Sequence, residues 1–140
     1  MRVMGLDVGE RRIGVALSDP TATIASPLEV VMVTDDEAAY AAIAGLTSQH
    51  QVDQVVVGMP YSLSGAAGPA AEKVQEFVAG LSRRLPVKVV TWDERLSTMA
   101  ADRSMRETGV SRRKRDGLRD AVAAALILQS YLDSRRVRNK

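Results

Sequence analysis

The chain has 140 residues, 46% of them hydrophobic, no cysteine and a formal net charge of +2, a size that fits one domain with a buried core. The lack of cysteine excludes disulfide frameworks and thiolate metal sites; no signal peptide opens the sequence and no apolar run reaches the roughly 18 residues of a membrane span, so the expectation is a cytoplasmic protein without a membrane partner. Charge is unevenly spread: Arg103 to Lys140 carries 11 Lys and Arg against 4 Asp and Glu, and such a basic third suggests a polyanionic partner.

In chain order, Val3 to Val8 reads as a strand, Gly9-Glu10-Arg11 as a turn with Gly9 at positive φ, and Ile13 to Ser18 as the returning strand of a hairpin. The period of two puts Val3, Gly5 and Asp7 on one face and Met4, Leu6 and Val8 on the other. Asp is a poor strand former and costly to bury unpaired, so Asp7 is expected to have a partner: a cation, Arg11, Arg12 or a backbone amide. Pro27 to Val33 reads as a third strand with Pro27 at its start. Asp35-Asp36-Glu37 opens a helix to about Ser48, its apolar stripe being Ala39, Ala42, Ile43 and Leu46. His50, the one histidine, reads as a solvated residue just past that helix.

Gln54 to Pro60 is a short, continuously apolar run between polar segments, the pattern of a strand covered on both faces. A turn-rich loop from Tyr61 follows, and Pro69 suits the first turn of a helix carrying Val74, Phe77, Val78 and Leu81. The loop lacks the Gly-Lys-Ser/Thr ending of a P-loop and reads as a connection. Val87 to Trp92 is the fifth strand and runs into Asp93 and Glu94, where ligands gather in open α/β sheets. Ser97 or Thr98 can cap a helix up to about Glu107; a basic loop, Thr108 to Lys114, precedes a last helix from about Asp116. That helix is apolar almost all round, with Asp120 sharing a face with Ala124 and Ile127; Asp120 suits a functional acid, an N-cap, or an ion pair with Arg119 or Lys114.

The fold class is α/β: a mixed five-stranded sheet, three antiparallel strands in a meander plus parallel strands, flanked by helices in the order β-β-β-α-β-α-β-α-α, with the first strand central. Acids then stand at the ends of the first and fifth strands and in the first turn of the last helix. Clustered carboxylates repel unless a cation joins them, and oxygen ligands without His or Cys select Mg²⁺ or Mn²⁺. One or two such ions suit phosphodiester cleavage without a side-chain nucleophile. Arg112, Arg113, Lys114, Arg115 and Arg119, with Arg12 and Arg95 near the acids, are candidate nucleic-acid contacts.

Four stretches carry a resemblance across nearly the whole chain: Gly5-Leu-Asp7-Val-Gly9 with Arg12-Ile-Gly14-Val-Ala16; Val57-Gly-Met-Pro60 with Gly65 and Gly68-Pro69; Asp93-Glu-Arg-Leu-Ser-Thr98; and Asp120-Ala-Val-Ala-Ala with Ile127-Leu-Gln-Ser-Tyr131-Leu. In these it resembles the bacterial YqgF (RuvX-like) proteins, relatives of ribonuclease H and of the Holliday junction resolvases. The resemblance implies a single ribonuclease H-like nuclease domain over residues 1–140, dependent on Mg²⁺ or Mn²⁺, with Asp7, Glu94 and Asp120 as catalytic, metal-holding acids. It implies a role in maturing the 5′ end of precursor 16S rRNA; alternatives are a Holliday junction resolvase acting on branched DNA, or a non-catalytic RNA-binding protein. A monomer or a homodimer is compatible, a dimer being what symmetric junction cleavage would need. Ser64 stands where these relatives often have an acid before the glycine. The Asp7-x-Gly9 motif also resembles the phosphate loop of actin-like sugar kinases, but those need two such domains, more than 140 residues supply.

Overall fold

The structure, a computed structural model, describes residues 1–61, 65–97 and 119–138. Five strands, β1 (Val3–Val8), β2 (Arg12–Ser18), β3 (Ala25–Met32), β4 (Gln54–Met59) and β5 (Lys88–Asp93), form one sheet in the order β3-β2-β1-β4-β5. The meander β1-β2-β3 is antiparallel, while β4 and β5 lie parallel to β1 and to each other. The first strand is thus central, as expected. Helices α1 (Asp36–Gln49) and α2 (Pro69–Arg84) are the connections that return the chain to the parallel strands, and α3 (Arg119–Arg138) closes the described structure. The anticipated helix between Thr98 and Glu107 and the basic loop lie outside the described residues.

Strand alternation sorts the core into two sides. Met4, Leu6, Ile13, Val15, Val55, Val57 and Met59 pack with Ile43 of α1 and with Val74, Phe77 and Leu81 of α2. Val3, Ala16 and Val56 face the other way, onto Ala124, Leu128 and Leu132 of α3. β4 is buried throughout, as a strand covered by helices on both faces must be. α1 starts where a carboxylate can take up its free amides: Asp35 is the N-cap and accepts from Ala38 N–H at 2.8 Å. Pro69 sits in the first turn of α2, where its missing N–H removes no helical bond.

Three expectations need correction. Gly9 is not among the positive-φ residues; its N–H donates to Arg12 O at 2.9 Å, and a Cβ there would come within 2.8 Å of the same oxygen, so tight hairpin closure excludes a side chain. β3 begins at Ala25, with Pro27 inside it opposite Ala16, beside a register shift; an edge strand tolerates the missing donor. β5 runs one residue further than expected, taking in Asp93. The last helix packs against the sheet as expected, through Ala124, Leu128 and Leu132, and its outer side leaves Val122 46% exposed.

Candidate active site

The three anticipated acids arise from separate elements: β1, the turn after β5 and the first turn of α3. Asp7 is the fifth residue of β1, half-buried on the α3 side of the sheet, and pairs across the hairpin with Gly14. Gly14 in turn touches α3: a Cβ there would overlap the carbonyl oxygen of Asp120. Only glycine lets the first turn of the helix lie on the β2 backbone, and this contact sets Asp120 one strand away from Asp7, strands being about 4.8 Å apart. Further along the helix, a Cβ at Gly5 would come 2.7 Å from Leu128 Cβ, so the same close approach continues below the site.

Glu94 follows β5, which is separated from β1 by β4. The strand ends at Asp93, and Glu94–Leu96 form a 3-10 turn in which Glu94 is only 5% exposed. This turn is tied to α3 by a relay: Trp92 Nε1–H donates to Ser130 Oγ at 3.0 Å, and Ser130 Oγ–H donates to Leu96 O at 2.9 Å. The Trp92 ring also meets Tyr131 edge-on, with centroids 5.5 Å apart. Trp92 and Ser130 were missed as positioning residues from sequence; a serine in an apolar helix was the available signal.

The neighbouring carboxylates Asp93 and Glu94 have different fates. Asp93 accepts from Arg95 N–H at 3.0 Å and from Arg95 Nε–H at 3.0 Å, and pairs with the same guanidinium through its second oxygen. These hydrogen bonds from Arg95 hold its carboxyl below the usual carboxylate range against the opposing effect of burial. The Arg95 guanidinium lies 5.8 Å from the Tyr61 ring centroid and beside Gly65, whose φ is +87°. Asp93 and Arg95 therefore form a fixed pair at the rim, while Glu94 turns inward.

Asp120 has its own cation. Arg12 Nε stands 3.0 Å from Asp120 Oδ2, with side-chain exposures of 49% and 19%. Asp120 lies inside the first turn of α3 rather than capping it, and Lys114, a possible partner, lies outside the described residues. The donor chemistry of Asp7, Glu94 and Asp120 suits a hard divalent cation, being all carboxylate oxygen. As they stand, however, no three His, Cys, Asp or Glu side chains among the described residues form a group that could hold an ion; Arg12 occupies one of the acids. Of the basic candidates, Arg12 and Arg95 flank the acids, Arg119 is half-buried at the start of α3, and Arg112, Arg113, Lys114 and Arg115 lie outside the described residues, as does Ser64. His50 closes α1 as its C-cap, away from the acids. A groove of about 740 Å³ lined by Val8, Glu10, Lys73 and Phe77 opens on the α1–α2 side and includes none of the three acids.

Comparison with known proteins matches residues 1–134 to a family model described as RuvX, Holliday junction resolvase. A protein of Halothermothrix orenii named "Putative pre-16S rRNA nuclease" is 47% identical over 133 residues, 95% of each chain. A protein of the same name from Desulforamulus reducens is 45% identical, covering 96% of this chain and 98% of the relative. Among solved structures, Thermus thermophilus RuvC in complex with a Holliday junction substrate aligns with a TM-score of 0.62 at 18% identity, over 97% of this chain and 96% of that one. The fowlpox virus Holliday junction resolvase aligns at 0.56 and 19%, over 96% and 99%. These two likenesses establish a shared fold, including the mixed five-stranded sheet with flanking helices.

Proposed function

The chain belongs to the RuvX family, and on that premise we propose that its 140 residues act as one nuclease domain that hydrolyses phosphodiester bonds in the 5′-end processing of precursor 16S rRNA in the cytoplasm. What supports the site assignment is that Asp7 lies near the carboxyl end of β1, that Glu94 follows the carboxyl end of β5, and that Asp120 lies in the first turn of α3, whose backbone meets Gly14 opposite Asp7, while Trp92 and Ser130 tie β5 to the same helix. Among the described residues, no helix is long and apolar enough to cross a membrane.

Asp7, Glu94 and Asp120 are the residues that would hold Mg²⁺ or Mn²⁺, one or two ions, which when bound supply an acidified water and neutralise charge on the departing oxygen. The protein's own part is placement. Asp7 is fixed by strands on both sides, β2 and β4, and Asp120 by a helix pressed on the sheet. Arg12 and Arg95 bring two cations to the rim, where a polyanion's phosphates would pass. No serine, cysteine or histidine is required as nucleophile.

Action on a four-way DNA junction is the second reading, favoured by the family description and by the resolvase fold. It requires two active sites and hence a homodimer; rRNA trimming is compatible with a monomer. One experiment addresses both: a labelled precursor rRNA fragment and a synthetic four-way junction are given to the same preparation with Mg²⁺, Mn²⁺ or chelator, alongside Asp7→Asn and Glu94→Gln. The expected result is divalent-dependent cleavage of the rRNA fragment that both substitutions abolish. Cleavage of the junction alone would transfer the function to DNA, and cleavage unaffected by chelator would refute the metal reading.

A further inference from the structure

Arg12 and Arg95 are both paired with carboxylates next to the site, but they are held very differently. Arg95 is locked by its own backbone N–H, its Nε and a terminal nitrogen to the two oxygens of Asp93. Arg12 meets Asp120 through Nε at 3.0 Å, and about half of its side chain lies in solvent. We infer that Arg12 is the exchangeable counter-ion of Asp120: it holds this acid until a divalent ion takes its place, and the freed guanidinium then contacts a phosphate of the nucleic acid. This rests on the metal-dependent nuclease reading above.

The backbone on both sides of the pair is fixed, so the exchange involves a side chain only. Asp120 cannot retreat, because its carbonyl lies against Gly14. Arg12 is anchored by its pairing with Met32 and by its carbonyl, which accepts from Gly9 N–H at 2.9 Å. An ion pair this exposed is weak and salt-screened, whereas a doubly charged ion at the same carboxylate has twice the charge to offer. Arg12 follows the turn after β1 and shares the α3 side of β2 with Gly14 and Ala16, while Ile13 and Val15 point into the opposite core. Once released, its planar fork of donors lies beside the acids and suits a phosphate. In this scheme Arg12 opposes ion binding in the free protein and supports substrate binding once the ion is in place, so the two ligands assist each other.

The test is a double-mutant cycle in chelator, with no divalent ion. Binding of a fluorescein-labelled RNA oligonucleotide is measured by anisotropy for the parent, Asp120→Asn, Arg12→Gln and the double variant, after melting curves show each to be folded; Arg12→Lys replaces Arg12→Gln if the latter is not. Asp120→Asn should free Arg12 and tighten RNA binding by about fivefold, and this gain should fall below about twofold when Arg12 is also replaced. An equal gain in both backgrounds would reduce the effect to the removal of one negative charge and overturn the proposal. Titration with Mn²⁺ alone, followed by calorimetry, supplies the second readout: Arg12→Gln should bind Mn²⁺ about two- to fivefold more tightly than the parent. A structural ion pair predicts unchanged or weaker binding, and that result overturns the exchange while leaving the nuclease reading intact. A parent that binds no Mn²⁺ overturns both.

Discussion

At Asp93 and Glu94, two adjacent carboxylates are separated in role by what surrounds them. Arg95 takes up both oxygens of Asp93, whereas Glu94 is buried and is the acid to which the proposed chemistry is assigned. Glu94→Gln should therefore lower cleavage more than about 100-fold, on the scale of a disabled metal ligand, whereas Asp93→Asn should stay within about tenfold. Rates measured on one substrate with folded variants check this, and the reverse order would exchange the two roles. The same residue scale sets the response to acid. Asp19 accepts from Thr23 N–H and Ile24 N–H, both at 2.8 Å, and from Thr21 N–H at 3.1 Å; these bonds, that from Ile24 foremost, hold its carboxyl far below the usual range. A carboxyl depressed in the folded state stabilises above its unfolded value of about 3.9 and loses that contribution as pH falls toward the folded value. Asp19→Ala should thus lower the melting temperature at pH 7, and its difference from the parent should shrink steadily below about pH 4. A difference independent of pH would mean that the carboxylate charge contributes nothing to this loop.

At the scale of elements, the seating of α3 on the sheet governs where Asp120 stands. Gly14→Ala would drive a methyl group into the Asp120 carbonyl, and overpacking of this kind costs about 1–3 kcal/mol. Cleavage should drop by more than about tenfold even where the variant is folded, since the helix must lift away from the neighbour of Asp7. Gly45→Ala is the matched contrast: this exposed glycine of α1 has open space where the Cβ would go, so the substitution should stabilise by about 0.5–1 kcal/mol with activity unchanged. Thermal melts with cleavage rates on both variants decide the matter. Much of this arrangement was legible beforehand, because strand alternation puts Asp7 on a known face and helical spacing puts Asp120 with Ala124 and Ile127. The pairing of Arg12 with Asp120 was not, since nothing local relates residues 108 positions apart. Nor was the helix contact at Gly14 visible, as a glycine in a strand signals a close approach without naming the partner. Pro27 misled for a related reason: its fit to a strand start hid the fact that an edge strand also accepts proline within it.

At the scale of the whole molecule, charge is divided along the chain: residues 1 to 102 carry 8 Lys and Arg against 13 Asp and Glu, opposed to the basic stretch from Arg103 onward. An acidic body repels a polyanion, so under the proposed function the basic third is the part of the chain that would attract phosphates toward Asp7, Glu94 and Asp120. Arg112, Arg113, Lys114 and Arg115 are the densest part of that third, and they are expected to act on binding rather than on the chemical step. Replacing all four with Ala should weaken binding whatever the nucleotide sequence. The dependence of log affinity on log salt should also become shallower, by about 0.7 for each phosphate left without its cation on single-stranded RNA and about 0.9 on duplex DNA. At saturating substrate the cleavage rate should stay within about threefold of the parent, because Asp7, Glu94 and Asp120 are untouched. Binding isotherms over a salt series on both nucleic acids, together with single-turnover cleavage, test this: an unchanged salt slope would remove these four residues from the interface, and a collapsed cleavage rate at saturation would move them into the catalytic step.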